Sequence, residues 1–117
     1  MHIKHTIIKS FFAVFVTVMA LNSYAKNPAD KNAAVWIDVR TPTEYASGHI
    51  EKAYNIPFNE IGQRITEVVK DKDKKIDVYC ASGGRAEIAR KTLVKMGYTH
   101  VTNAGGYGAI LKKQHKE

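Results

Sequence analysis

Cys80, the single cysteine of this 117-residue chain, stands where an apolar run meets a glycine-rich turn. The segment reads Ile76-Asp77-Val78-Tyr79-Cys80-Ala81-Ser82-Gly83-Gly84-Arg85-Ala86. Sulfur reacts as the thiolate, and a thiol pKa falls beside a cation or at a helix N-terminus. Both devices occur within six residues of this sulfur. Gly83 and Gly84 leave backbone N–H groups unshielded in a turn that forms an anion-binding concavity, and a following helix adds its positive dipole end. Arg85 brings a permanent cation with several donors, and Ser82 a hydroxyl. The chemistry this pattern supports is nucleophilic sulfur, held as a thiolate and able to carry an anion or a second sulfur above it.

Three function classes fit a cysteine cradled in this way. A phosphotyrosine-type phosphatase or arsenate reductase needs a loop that encircles a whole oxyanion, with five residues between cysteine and arginine. Here the gap holds four, Ala81 to Gly84. A tighter loop suits one sulfur atom carried on the cysteine, which is the requirement of sulfur transfer. The third class is a carrier or anion-binding module that holds a persulfide without turning over.

The elements that must position the cysteine follow from periodicity and punctuation. Ala33 to Val39 is a short apolar run suited to a buried strand. Thr41-Pro42-Thr43-Glu44 announces a short helix, with threonine as N-cap, proline at the first helical position and glutamate three after the cap. Residues 53–56 form a second strand candidate. Phe58, Ile61, Ile65, Val68 and Val69 recur at helical spacing, which predicts an amphipathic helix over 58–69. A charged connection at 70–75 precedes the third strand, Ile76 to Tyr79. Ala86, Ala89, Leu93 and Met96 mark one face of the next helix, with Gly97 as its stop. A fourth strand is expected over His100 to Asn103, then a break at Gly105-Gly106, read as a plain strand-to-helix turn or as a place where the following loop approaches the cysteine pocket, and a terminal helix over Tyr107 to Lys113. Strands alternating with helices predict an α/β fold: one small parallel sheet flanked by helices on both faces. In such sheets the ligand site lies beyond the carboxyl ends of the strands, where Cys80 falls.

These residues resemble the rhodanese (sulfurtransferase) family well beyond the cysteine loop. Asp38-Val39-Arg40, Glu44-Tyr45, Gly48-His49-Ile50, Ala53 and Asn55-Ile56-Pro57 look like its N-terminal signature. The run from Tyr79 to Ala86 is similar to its active-site loop, and Gly97-Tyr98, Val101 and Asn103-Ala104-Gly105-Gly106 to its C-terminal pattern. Residues 33–111 carry the resemblance. It implies a rhodanese-like domain, most similar to the short exported thiosulfate sulfurtransferases of the family. Cys80 is then the nucleophile, with Ala81, Ser82, Gly83, Gly84, Arg85 and Ala86 binding substrate. The implied donor is thiosulfate, the acceptor cyanide or a thiol, and no metal or organic cofactor takes part. The chain departs from the family at Ala86, where a hydroxyl residue is common, which implies either slower transfer or a loop that leans more on backbone donors.

Other residues are read as structural. Asp38 satisfies loop N–H groups, Arg40 pairs with Asp38 or Glu44, and Trp36 belongs to the core. Attack by a thiolate needs no base, which leaves His49 a structural place beside Gly48. His2, His5, His100 and His115 show no metal-ligand spacing.

Residues 1–25 read as a secretory signal: Lys4 and Lys9, then the apolar Phe11 to Leu21, then a small-x-small site at Ser23-Tyr24-Ala25. The apolar stretch is too short for a bilayer-spanning helix, which needs about 20 residues, so no stable membrane span is expected after signal removal. The expected organisation is a signal over 1–25, a polar leader over 26–32 and one domain over 33–117, exported to the periplasm. Removing Lys4 and Lys9 lowers the net charge from +7 to +5. Much of that excess lies in Lys70-Asp71-Lys72-Asp73-Lys74-Lys75, where signs alternate and no aromatic-interleaved basic stripe forms, which argues against nucleic acid. A lone cysteine cannot form a disulfide within the chain, and a free thiol in an oxidising compartment is a liability unless it is used.

Overall fold

A computed structural model of the chain describes residues 32–116, and the elements below belong to the unit Ala34–Glu117. The expected signal and all but the last residue of the leader lie outside the described residues. Among the described residues no helix is long and apolar enough to cross a membrane.

Four strands form one parallel sheet: β1 (Val35–Asp38), β2 (Tyr54–Asn55), β3 (Ile76–Cys80) and β4 (Val101–Gly106), in the order β2-β1-β3-β4. Four α-helices accompany them: α1 (Pro42–Ala46), α2 (Ile61–Arg64), α3 (Gly84–Lys95) and α4 (Tyr107–Lys116). Side chains alternate across each strand, and the two core clusters follow that alternation. On one face Ile37, Val39, Ile76, Val78 and Cys80 pack with Ile61 and Ile65 and with Ala86, Ala89 and Leu93 of α3. On the other, Tyr79 packs with Ile50, Ala53 and Ile110, and Trp36, Ala104, Tyr107 and Leu111 lie against them. The sheet is therefore covered on both faces, as the alternation of elements predicts.

Two elements differ from expectation. The helix predicted over 58–69 is only the four residues of α2, followed by a 3-10 turn at Ile65–Glu67. β-Branched Ile61, Ile65, Thr66, Val68 and Val69 and the interior Gly62 all disfavour a regular helix. Gly62 earns its place by proximity: a Cβ there would lie 3.4 Å from Thr92 Cγ2 and 3.8 Å from Met96 Sδ on α3.

β4 also runs on through Gly105-Gly106, which the sequence reading treats as a break. Val78 pairs with Asn103 and Cys80 with Gly106, so β4 spends one residue more than β3 over this stretch. Such a bulge needs an unusual backbone conformation, and Gly105 supplies it at φ +93. The bulge brings the end of β4 against the cysteine turn.

Candidate active site

Cys80 is the last residue of β3, Ala81, Ser82 and Gly83 make the turn, and Gly84, Arg85 and Ala86 begin α3. The seven residues singled out in the sequence thus form one continuous structure around the sulfur. Gly83 caps the helix in the left-handed region at φ +104, a conformation costly for residues with a Cβ. That conformation aims its N–H at Cys80 Sγ, at 2.9 Å, and the Ala86 N–H donates to the same sulfur at 3.4 Å. Cys80 is only 1% exposed and packs as part of the apolar core. Burial pushes its thiol pKa up, but the N–H groups of Ala86, Ser82, Gly83 and Arg85 outweigh it, and the net direction is below the ordinary thiol value. A buried cysteine is usually inert; this one is buried among aimed donors.

The turn is held from β4. A Cβ on Gly106 would land on the Ala81 carbonyl oxygen and lie 3.1 Å from the Ala81 carbonyl carbon and 3.2 Å from Ser82 Cα. Only glycine permits this approach, so Gly106 belongs to the site's architecture rather than to a plain strand-to-helix turn.

Arg85 does not stand free above the sulfur. Its guanidinium Nη1 and Nη2 donate to Glu44 Oε1 and Oε2 at 2.8 and 3.0 Å. Glu44 is the third residue of α1 and completes a capping box with Thr41. Arg85 and the Thr41 backbone N–H hold its carboxyl down to about 2. Arg40 takes Asp38 rather than Glu44: two nitrogens of its guanidinium and its backbone N–H all donate to the Asp38 carboxylate, and Nη2 also reaches the Gly48 carbonyl. Asp38 and Arg40 are buried. His49 stacks on Tyr45 with 3.6 Å between ring centroids. Trp36 meets Tyr79 edge-on at the second core cluster.

Residues 21–113 match the family model for the rhodanese-like domain, most of the chain and the whole site. The chain belongs to the rhodanese-like family. It is a rhodanese-family sulfurtransferase, 48% identical over 71 residues to the thiosulfate sulfurtransferase PspE of Escherichia coli K12, covering 61% of this chain and 68% of that protein. A sulfurtransferase of Allochromatium vinosum is 37% identical and covers 80% of this chain and 84% of its own length. Among solved structures, a rhodanese with anions from E. coli superposes with a TM-score of 0.63 at 46% identity, covering 65% of this chain and 89% of its own. The human single-domain sulfurtransferase TSTD1 gives 0.62 at 29% identity, covering 80% and 91%.

Two residues of this rhodanese site escaped the sequence reading in their actual roles. Glu44 was visible as the partner in a capping box, but nothing local connects it to Arg85 forty-one positions on. Asn103 is legible as the end of the fourth strand and as part of the resemblance, but neither shows that its side chain reaches the cysteine turn.

Proposed function

We propose that this rhodanese-family protein moves a sulfane sulfur from thiosulfate to cyanide or a thiol through a persulfide on Cys80. The observation that carries the reading is the convergence of the Gly83 and Ala86 N–H groups on Cys80 Sγ. In the first half-reaction the thiolate attacks the outer sulfur of thiosulfate. The thiosulfate S–S bond breaks with its electron pair leaving on sulfite, and the new S–S bond gives an enzyme persulfide anion. In the second, cyanide or a thiolate attacks the terminal sulfur and Cys80 departs as the thiolate it began as. No external oxidant or reductant is consumed, and the two displacements predict ping-pong kinetics.

The backbone donors of residues 81–86 stabilise the sulfur anion at each stage, a role in which one donor is worth about 3 kcal/mol. With Ala86 in place of a hydroxyl residue, its N–H is the group that serves. Arg85 orients the sulfonate end of the donor from its seat beside Glu44. The positive charges at Lys4 and Lys9, followed by the apolar Phe11 to Leu21, support export to the periplasm.

Mass spectrometry of the protein after incubation with thiosulfate tests the proposal. The expected result is a gain of one sulfur atom that cyanide reverses and that Cys80→Ala abolishes. A protein that never gains this mass overturns the reading; one that loads stoichiometrically but releases sulfur slowly to every acceptor is a carrier.

A further inference from the structure

Asn103 lies on β4, outside the cysteine loop, yet its side-chain amide spans the loop and the β4 bulge. Nδ2 donates to the Gly83 carbonyl at 3.0 Å and, more weakly, to Glu87 Oε1 at 3.4 Å, while Oδ1 accepts from the Gly105 N–H at 2.9 Å. The orientation of the amide is dictated by these partners. Turned over, it would set an oxygen against two acceptors and an NH2 against a donor. Every polar atom of the amide is thus spent on geometry, and none on the sulfur.

The residue so held has backbone freedom that other residue types lack. Gly83 has no Cβ to restrict it, and its N–H is the closest donor to Cys80 Sγ. Its carbonyl is tied twice, by Asn103 and by the Glu87 N–H of the first turn of α3 at 3.1 Å. Gly105 faces it closely enough that a Cβ on Gly83 would lie 3.7 Å from Gly105 Cα. With its carbonyl anchored from β4, the left-handed turn has little latitude to rotate the preceding N–H away from the sulfur.

We propose that Asn103 is a positioning residue that pins Gly83 from β4 and so keeps the Gly83 N–H aimed at Cys80 Sγ. Its effect is exerted through Gly83, and it rests on the sulfur-transfer reading only for its consequence on turnover. Donation from an amide to an anion is charge-assisted and depends on alignment, so a loosened Gly83 leaves the thiolate less stabilised.

The test is the pH dependence of Cys80 alkylation by iodoacetamide in the wild type, Asn103→Ser and Asn103→Thr. Both replacements are one bond too short to span Gly83 and Gly105, and threonine suits a strand, which protects against loss of the fold. The expected result is a titration displaced upward in both variants, with alkylation below the midpoint slowed three- to tenfold, tenfold being one pH unit. Rates should converge at high pH, where every thiol is ionised. The acid limb of the sulfur-transfer pH profile should move with it. A wild-type thiol already depressed, with variants that titrate identically and only melt earlier, overturns the inference and leaves the functional reading intact. A wild-type thiol titrating at the ordinary value overturns both.

Discussion

Arg85 and Glu44, forty-one residues apart, meet end-on through two hydrogen bonds of 2.8 and 3.0 Å. The contact ties the first turn of α3 to the first turn of α1, and it uses a carboxylate already committed to the Thr41 capping box. One acidic side chain therefore caps the start of one helix and seats the arginine of the cysteine loop. Four donors fix the carboxylate, two from Thr41 and two from Arg85, so the guanidinium it holds has a defined place.

The pair makes stability pH-dependent in a stated direction. The Glu44 pKa is depressed to about 2 in the folded protein, so its contribution is full above the ordinary carboxyl range and is lost as pH falls through the folded value. Both side chains are about one-third exposed, which limits the pair to about 1 kcal/mol, or about 4–8 °C in Tm. Glu44→Gln should melt lower than the wild type by that margin near neutrality, and the two curves should converge as pH approaches 2. Thermal melts across this range check it; a constant difference refutes it.

Arg85 contributes a charge, while the loop's backbone contributes the donors to sulfur. Arg85→Ala should therefore weaken recognition of the anionic donor far more than it disturbs the thiol. Loss of a hydrogen bond to a charged group, about 1.5–3 kcal/mol, corresponds to a rise of about ten- to a hundredfold in KM for thiosulfate. The Gly83 and Ala86 N–H groups remain aimed at Sγ, so kcat should fall less. Steady-state kinetics separate the two constants.

Asp38 carries a buried charge paired with Arg40. It is fully buried, and Arg40 is 6% exposed. Asp38→Asn leaves a buried guanidinium without its counter-ion, a change that costs about 3–5 kcal/mol. Urea denaturation should show this loss. It should exceed that of Glu44→Gln several-fold, because water cannot replace the missing partner.

Gly106 and Gly108 lie two residues apart and should respond oppositely to alanine. At Gly106 the new methyl meets backbone of Ala81 and Ser82, so either β4 or the cysteine turn must move. Overpacking of this kind costs about 1–3 kcal/mol, and displacement of the turn should lower sulfur transfer at least tenfold. At Gly108, in α4, nothing lies within 4 Å of the added Cβ, and the helix gains up to about 1 kcal/mol. Melting temperatures and transfer rates of the two variants provide the comparison.

How much was legible before the fold depended on how far each interaction reaches along the chain. The capping box from Thr41 to Glu44 and the turn from Cys80 to Ala86 close within a few residues, and both are present as the sequence indicates. The helix over 58–69 was overstated because apolar spacing reports which face is buried, not whether β-branched residues and Gly62 will hold a regular helix. The Gly105-Gly106 pair is ambiguous in sequence for a related reason. Two glycines mark either a break or a close approach, and only the backbone of Ala81 lying against Gly106 decides between them.

From its residues alone the chain specifies a cysteine cradled by backbone donors, because a strand end, two glycines, an arginine and a helix start follow one another along the sequence. Which side chains hold that assembly still was decided by the strand order. β3 lies between β1 and β4, so the helix after β1 delivers Glu44 to Arg85 and the bulge in β4 delivers Asn103 to Gly83. Hydrogen bonds act over about 3 Å, and no spacing along the chain states which distant residues the sheet will bring that close.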